Sequence, residues 1–240
     1  MTELSPVAAL FDQVSDVYDQ VGVEMFGPIA DGLVRELDPR PGERAVDLGC
    51  GRGAALLRIG RATGTTVVGV DLAPGIVEQA RAEATAAGVV ADVRLGDVQD
   101  PRLPSESFDV VASSLVLFFL TDPLAALRSW HALLVPGGRL GVTTFGPFCR
   151  LWEETDAVFA PFLPAEVRRG REHGTTGPFG SDAGMEALLL EAGLVDVRTV
   201  RTTVAVRFDD EQQWLRWSRS AGNRRLWDAV PAEAQADVTR

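Results

Sequence analysis

The stretch VDLGCGRG, Val46 to Gly53, sets three glycines directly behind a short apolar run that ends in an aspartate. A strand feeding so glycine-dense a loop brings backbone close to a ligand, because residues without a Cβ can turn sharply and approach another surface. The dinucleotide fingerprint is G-x-G-x-x-G, and in Gly49, Gly51 and Gly53 the third glycine arrives one position early. A phosphate cradle also gains from a lysine or a hydroxyl residue at the helix start, and neither is present. Asp47 beside the loop repels a pyrophosphate but suits a ligand carrying an ammonium or a sulfonium. These residues ask for a cation.

Outward from the loop, strands and helices alternate. RAVDLG reads as a first strand, ALLRIGRATG as a helix ended by Gly64, and TTVVGVD as a second strand. APGIVEQARAEATAAG is a helix with Pro74 in its first turn and Gly88 at its end. ADVRLGD, FDVVASS and RLGVTTF supply the third, fourth and fifth strands, with a helix from about Asp122 to Leu134 and a PGG turn between the last two. The alternation predicts an α/β fold, a doubly wound and mostly parallel sheet covered on both faces. Its ligands belong at the carboxyl ends of the strands. Residues 1–40 read as a helical cap of two pieces, Pro6 to about Gln20 and Phe26 to Leu37, and 41–145 as the ligand-binding core of a single domain. The periodicity dissolves over 146–180, which reads as an insertion covering the substrate. In 181–240 a helix, a long strand VDVRTVRTTVAVRF and a second helix are expected.

Two further aspartates complete a pattern. Asp71, with Leu72 beside it, ends the second strand, where a carboxylate can accept both hydroxyls of a ribose. Asp97 follows the third strand and can accept from an adenine amine, with Val98 stacked on the base. Cation, ribose and adenine together describe S-adenosylmethionine.

VDLGCGRG, VVGVDLA, RLGDVQDPRLPSESFDVV and SSLVLFFLTDPLAALRSWHALLVPGGRLGVTTF, four motifs in register, resemble a class I S-adenosylmethionine-dependent methyltransferase of the small-molecule and quinone-biosynthesis type. The resemblance is strong from about Phe11 to Phe145. It implies that Tyr18, in the opening helix FDQVSDVYDQVG, lies over the methionyl part of the cofactor, and that Ser113 and Ser114 line the same end. The chain departs from the family at Phe118 and Phe119, where members often carry a histidine pair. The resemblance also implies a seventh, antiparallel strand, but nothing after Phe208 reads as one; either the chain is trimmed before it or the sheet edge is incomplete, and six strands are expected.

Composition narrows the partners. The 240 residues are 46% hydrophobic with a mean hydropathy of +0.07, and the formal net charge is −11. All the basic residues are arginines. Such a balance disfavours nucleic acid and anionic membranes. No run approaches the ~20 apolar residues of a membrane span, and MTELSPVAAL has no basic region ahead of an apolar core. Cys50 and Cys149 make no disulfide framework and fit a reducing cytoplasm, with Cys50 a buried filler. No metal-ligand spacing is visible.

Methyl transfer is an in-line displacement that depends mainly on alignment and on exclusion of water, and it tolerates the absence of a base. Of the two histidines, His131 reads as structural, and His173 is the candidate base because it falls in the covering interval. Phe119, Phe145, Phe148, Trp152, Phe179 and Trp214, with Trp217, are expected to wall a pocket for a small, flat or largely apolar acceptor methylated at O, N or C, in secondary metabolism. The protein is expected to act as a monomer or homodimer. A cyclase or non-methylating binding protein on the same fold is the alternative, and a nicotinamide oxidoreductase is disfavoured by the early third glycine.

Overall fold

The computed structural model describes residues 6–146, 150–163, 177–220 and 223–239. Five strands form its sheet: β1 (Ala45–Leu48), β2 (Val67–Asp71), β3 (Ala91–Leu95), β4 (Phe108–Ser114) and β5 (Leu134–Thr143). Their spatial order is β3-β2-β1-β4-β5, and every neighbouring pair is parallel. Parallel pairing forces crossovers. These are α3 (Ala54–Thr63), α4 (Pro74–Ala86) and α5 (Pro123–Ala132), preceded by α1 (Pro6–Gln13) and α2 (Phe26–Leu37). After the sheet come α6 (Arg150–Ala157), α7 (Asp182–Glu191), α8 (Glu211–Arg219) and α9 (Arg224–Asp228).

Local chemistry sets the boundaries. Gly64 ends α3 in the left-handed region at φ 65°, as the sequence predicts. Pro74 opens α4, and the Asp122 carboxylate caps α5 by accepting from the Ala125 amide at 2.9 Å. The PGG turn is absorbed into β5, where Pro136–Gly138 bulge as the register jumps from Phe108↔Leu134 to Val110↔Arg139.

Two cores lie on opposite faces of the sheet, since alternate residues of each strand point to opposite sides. Ala45 joins Leu33, Leu37, Leu56, Ile59 and Val77 under α2, α3 and α4. Val46 and Leu48 join Leu127, Trp130 and Met185 under α5 and α7. Trp130 is fully buried, and its indole donates to the Val98 carbonyl at 2.7 Å. A third cluster, Phe159, Leu163, Leu215, Leu226, Trp227 and Val230, ties the segment after α6 to α8 and α9.

The expected sixth strand is corrected. No strand forms over 195–208, and the sheet has five members among the described residues. Its side chains and backbone instead reach the neighbouring helices. Arg198 pairs with Glu36 of α2 at 2.9 Å, the Thr199 amide donates to Glu186 of α7 at 3.1 Å, and Arg201 meets Asp182 at 2.9 Å. The segment is thus suspended between helices of both faces, and a cavity of about 1550 Å³ separates it from β5. A β-branched run cannot join a sheet whose edge lies beyond the ~4.8 Å ladder spacing.

Close packing of α2 on β5 depends on Gly141, where an added Cβ would meet Leu33 Cδ1 and Leu37 Cγ at 2.8 Å. Gly141→Ala should therefore destabilise the protein by about 1–3 kcal/mol through overpacking. A lowered urea midpoint with an unchanged slope is the expected measurement.

Candidate active site

The strand order reverses between β1 and β4, so a crevice opens at the carboxyl tips of these two strands, with the tip of β2 on the other side of β1. The glycine loop fills its floor. Gly49, Gly51 and Gly53 all take positive φ (76°, 53° and 101°), a conformation that side chains disfavour. Gly49 and Cys50 donate their amides to the Val70 carbonyl at 2.8 and 3.1 Å, fastening the loop to β2.

Asp71 stands beside it. One carboxylate oxygen accepts from the Gly51 amide at 2.9 Å and the other from the Ala73 amide at 3.1 Å. Each oxygen keeps a lone pair for a further donor. Burial raises the Asp71 pKa despite these amides.

Asp47 is the outlier. It is 1% exposed, and neither carboxylate oxygen meets a donor at hydrogen-bonding geometry. Burial pushes its pKa up to about 7; the Leu56 amide offsets part of this, and the Asp71 charge adds to it. A buried carboxylate without a partner is costly, and a cation or donor brought to it recovers that cost.

Tyr18 lies over the loop, its ring 3.7 Å from where a Cβ on Gly51 would stand. Burial, then the Asp19 and Asp71 charges, hold its phenol well above its usual pKa, so it stays protonated. The segment bearing Tyr18 is latched down. Asp12 accepts from the Gly75 amide at 2.7 Å, and Arg52 donates to the Ser15 carbonyl at 3.1 Å while pairing with Glu83 at 2.7 Å. Asp19, partly buried here, is pushed up to about 6 by desolvation, which outweighs the nearby Arg52.

Similarity to known proteins agrees with this geometry. Residues 46–142 match the methyltransferase domain family. Over 245 aligned residues the chain is 35% identical to nocamycin O-methyltransferase of Saccharothrix syringae, covering 95% of this chain and 86% of that protein. The chain is a class I S-adenosylmethionine-dependent methyltransferase. Aklanonic acid methyltransferase DauC of Streptomyces sp. (strain C5) is 40% identical over 163 residues, 67% of this chain and 70% of that one. The fold is shared with a solved structure described as a putative sarcosine dimethylglycine methyltransferase from Galdieria sulphuraria (TM-score 0.57, 20% identity, 88% of this chain and 76% of that chain).

In this methyltransferase the remaining sequence candidates divide. Ser113 is 1% exposed and its hydroxyl donates to the Leu48 carbonyl at 2.7 Å, so it locks β4 to β1. Ser114 pairs with the Thr143 hydroxyl at 3.0 Å. Asp97 is exposed and folds back on the Gln99 amide at 2.9 Å, while Val98 is buried in the core beneath α5. Leu72 is half-buried beside Asp71. His131 holds the end of α7 through the Ala192 carbonyl at 3.2 Å, the structural role read from sequence. His173 and Phe148 lie outside the described residues.

The aromatic wall is broader than the sequence indicates. Phe119 packs edge-on against Phe11 at 5.6 Å and Phe11 edge-on against Tyr18 at 5.6 Å, while Tyr18 and Phe26 meet at a tilt with centroids 5.1 Å apart. Phe118 bridges Phe119 and Phe145 at 4.7 and 5.5 Å. Phe11 and Phe26 were not among the sequence candidates and Phe118 was noted only as a departure from the family pattern; only convergence from distant positions brings them together. Trp152 packs edge-on to Trp217 at 5.5 Å, and Phe179 rests on the core under α5 and α7. Trp214 turns into the third cluster toward Trp227, away from the phenylalanines.

No helix among the described residues is long and apolar enough to cross a membrane.

Proposed function

We propose that the Asp47–Asp71 crevice holds S-adenosylmethionine and that the aromatic wall receives a small, flat, largely apolar acceptor whose oxygen is methylated. The carrying observation is Asp47: two buried carboxylate oxygens without donors, behind a left-handed glycine loop, fit a positively charged ligand. Asp71 offers its remaining lone pairs to a ribose diol, Tyr18 closes over Gly51, and Asp97 and Val98 border the adenine side. When bound, the cofactor supplies an electrophilic methyl group on a sulfonium.

The protein's residues supply alignment and dryness. Phe118, Phe119 and Phe145 exclude water from the transfer path, and α6 with Trp152 covers the acceptor as part of the 146–180 insertion. Tyr18 stays protonated and acts as a donor, not as a base. Oxygen as the methylated atom rests on the name of the nocamycin relative. The same kinship supports a role in secondary metabolism, and the net charge of −11 argues against nucleic-acid substrates.

The test is an acceptor screen with the full chain. It should yield products heavier by one methylene unit together with stoichiometric S-adenosylhomocysteine. Failure of calorimetry to detect S-adenosylmethionine binding would overturn the reading. Tight binding with no S-adenosylhomocysteine from any acceptor would instead favour a cyclase or binding protein on this fold.

A further inference from the structure

Six non-glycine residues have positive φ among the described residues, and five of them are aspartate, glutamate or arginine. The sixth is Leu115, at φ 59° and 8% exposed, immediately after β4. A leucine is disfavoured in the left-handed region and stays there only when its surroundings hold it.

What holds it is Thr143, at the tip of β5. The Leu115 amide is shared between the Thr143 carbonyl and the Thr143 hydroxyl, each at 3.1 Å. That hydroxyl also meets Ser114 Oγ at 3.0 Å. The carbonyl contact continues the β4–β5 ladder; the hydroxyl contact is additional and belongs to the side chain alone.

The consequences of this one torsion lie at the crevice. Val116 is turned back over β1 so closely that its Cγ1 would stand 3.0 Å from a Cβ on Gly49. The next residues, Leu117–Phe119, form a tight turn closed by the Phe119 amide on the Val116 carbonyl at 2.8 Å. That turn delivers Phe118 to Phe145 and Phe119 to Phe11. Leu115 therefore sets both the surface over the glycine loop and the aromatic wall beside it.

We infer that Thr143 is a positioning residue for methyl transfer: its hydroxyl holds Leu115 left-handed and so fixes Val116 over Gly49 and the Phe118–Phe119 wall. The inference rests on the methyltransferase reading of the crevice. It concerns alignment of cofactor against acceptor, where small displacements cost large factors in rate.

Thr143→Val keeps the shape and removes the hydroxyl. The expected results are exchange of the Leu115 amide faster by on the order of tenfold and cofactor binding weaker by about tenfold. The same variant should lose on the order of tenfold in kcat, a larger factor than the rise in acceptor KM. Thr143→Ser, which restores the hydroxyl, should recover all three to within about threefold. In a Leu115→Gly background the torsion needs no pin, so adding Thr143→Val should cost less than about threefold.

Unchanged Leu115 exchange and cofactor affinity in Thr143→Val would overturn the inference. So would an equal loss in the Leu115→Gly background. If Thr143→Val does not fold, Thr143→Cys carries the same expectations, because a thiol is similar in shape and a weak acceptor. Exchange and cofactor affinity are read without an acceptor. Failure of the pin thus leaves methyl transfer standing, whereas absence of cofactor binding by the unmodified protein would defeat the reading beneath it.

Discussion

Asp71→Ala is expected to weaken S-adenosylmethionine binding by more than about a hundredfold, because it removes a charged acceptor that can take two ribose hydroxyls. The structure adds a second source of loss. The same carboxylate accepts the Gly51 and Ala73 amides at 2.9 and 3.1 Å, so the substitution also frees the glycine loop and leaves two amides without their partner. Isothermal calorimetry on the folded variant, with thermal unfolding as a control, reads the effect. Affinity equal to that of the unmodified chain would sink the assignment of Asp71. Asn at this position is a poor rescue, since its amide nitrogen would face one of the two backbone donors.

The second large effect is a pH dependence carried by Asp47. Its folded-state pKa is about 7 against an ordinary 3.8. A cationic ligand favours the ionised form, so binding below pH 7 must expel a proton. Affinity should rise with pH up to about 7 and then level off, with Kd at pH 6 about tenfold weaker than at pH 8. Asp47→Asn should flatten this profile and weaken binding at pH 8 by tens of fold, on the order expected for losing a close charge partner in a buried site. Asp19, with a pKa pushed up to about 6, lies beside Tyr18, and the charges of Asp71 and Asp47 act on each other and on Cys50. Comparison of the Asn variant with the parent isolates Asp47 from them. A parent profile that is flat between pH 6 and 8 would contradict the role given to its carboxylate.

The same shift has a sign for stability without ligand. Because the folded pKa is raised, the neutral form of Asp47 is the favoured one in the fold. Its contribution is fully present below pH 3.8 and is lost as pH rises through about 7. The parent should therefore lose stability relative to Asp47→Asn between these values, which denaturant midpoints at pH 5 and 8 can read.

Much of this protein was legible as local pattern. Short apolar runs ending in Asp47 and Asp71, glycines closing helices at Gly64 and Gly88, and Pro74 in a first turn determine strands and crossovers by nearest-neighbour chemistry alone. The positive φ of Gly49, Gly51 and Gly53 was likewise implicit in their spacing. Thus the residues proposed to hold the cofactor lie close in sequence to the strand tips.

Tertiary structure decided the rest, and the reason is distance along the chain. The run 195–208 is strand-like by composition, yet whether it pairs depends on where α2 and α7 hold it, and they hold it away from β5. Phe11, Phe118 and Phe145 become a wall only when three separate elements converge. The Ser113 hydroxyl is spent on the Leu48 carbonyl of the neighbouring strand, a partner 65 residues away. Leu115 and Thr143 are 28 residues apart, and neither residue type announces a strained turn or its pin. Local sequence chooses the elements; the contacts between their side chains, which no window of sequence contains, choose the site's shape.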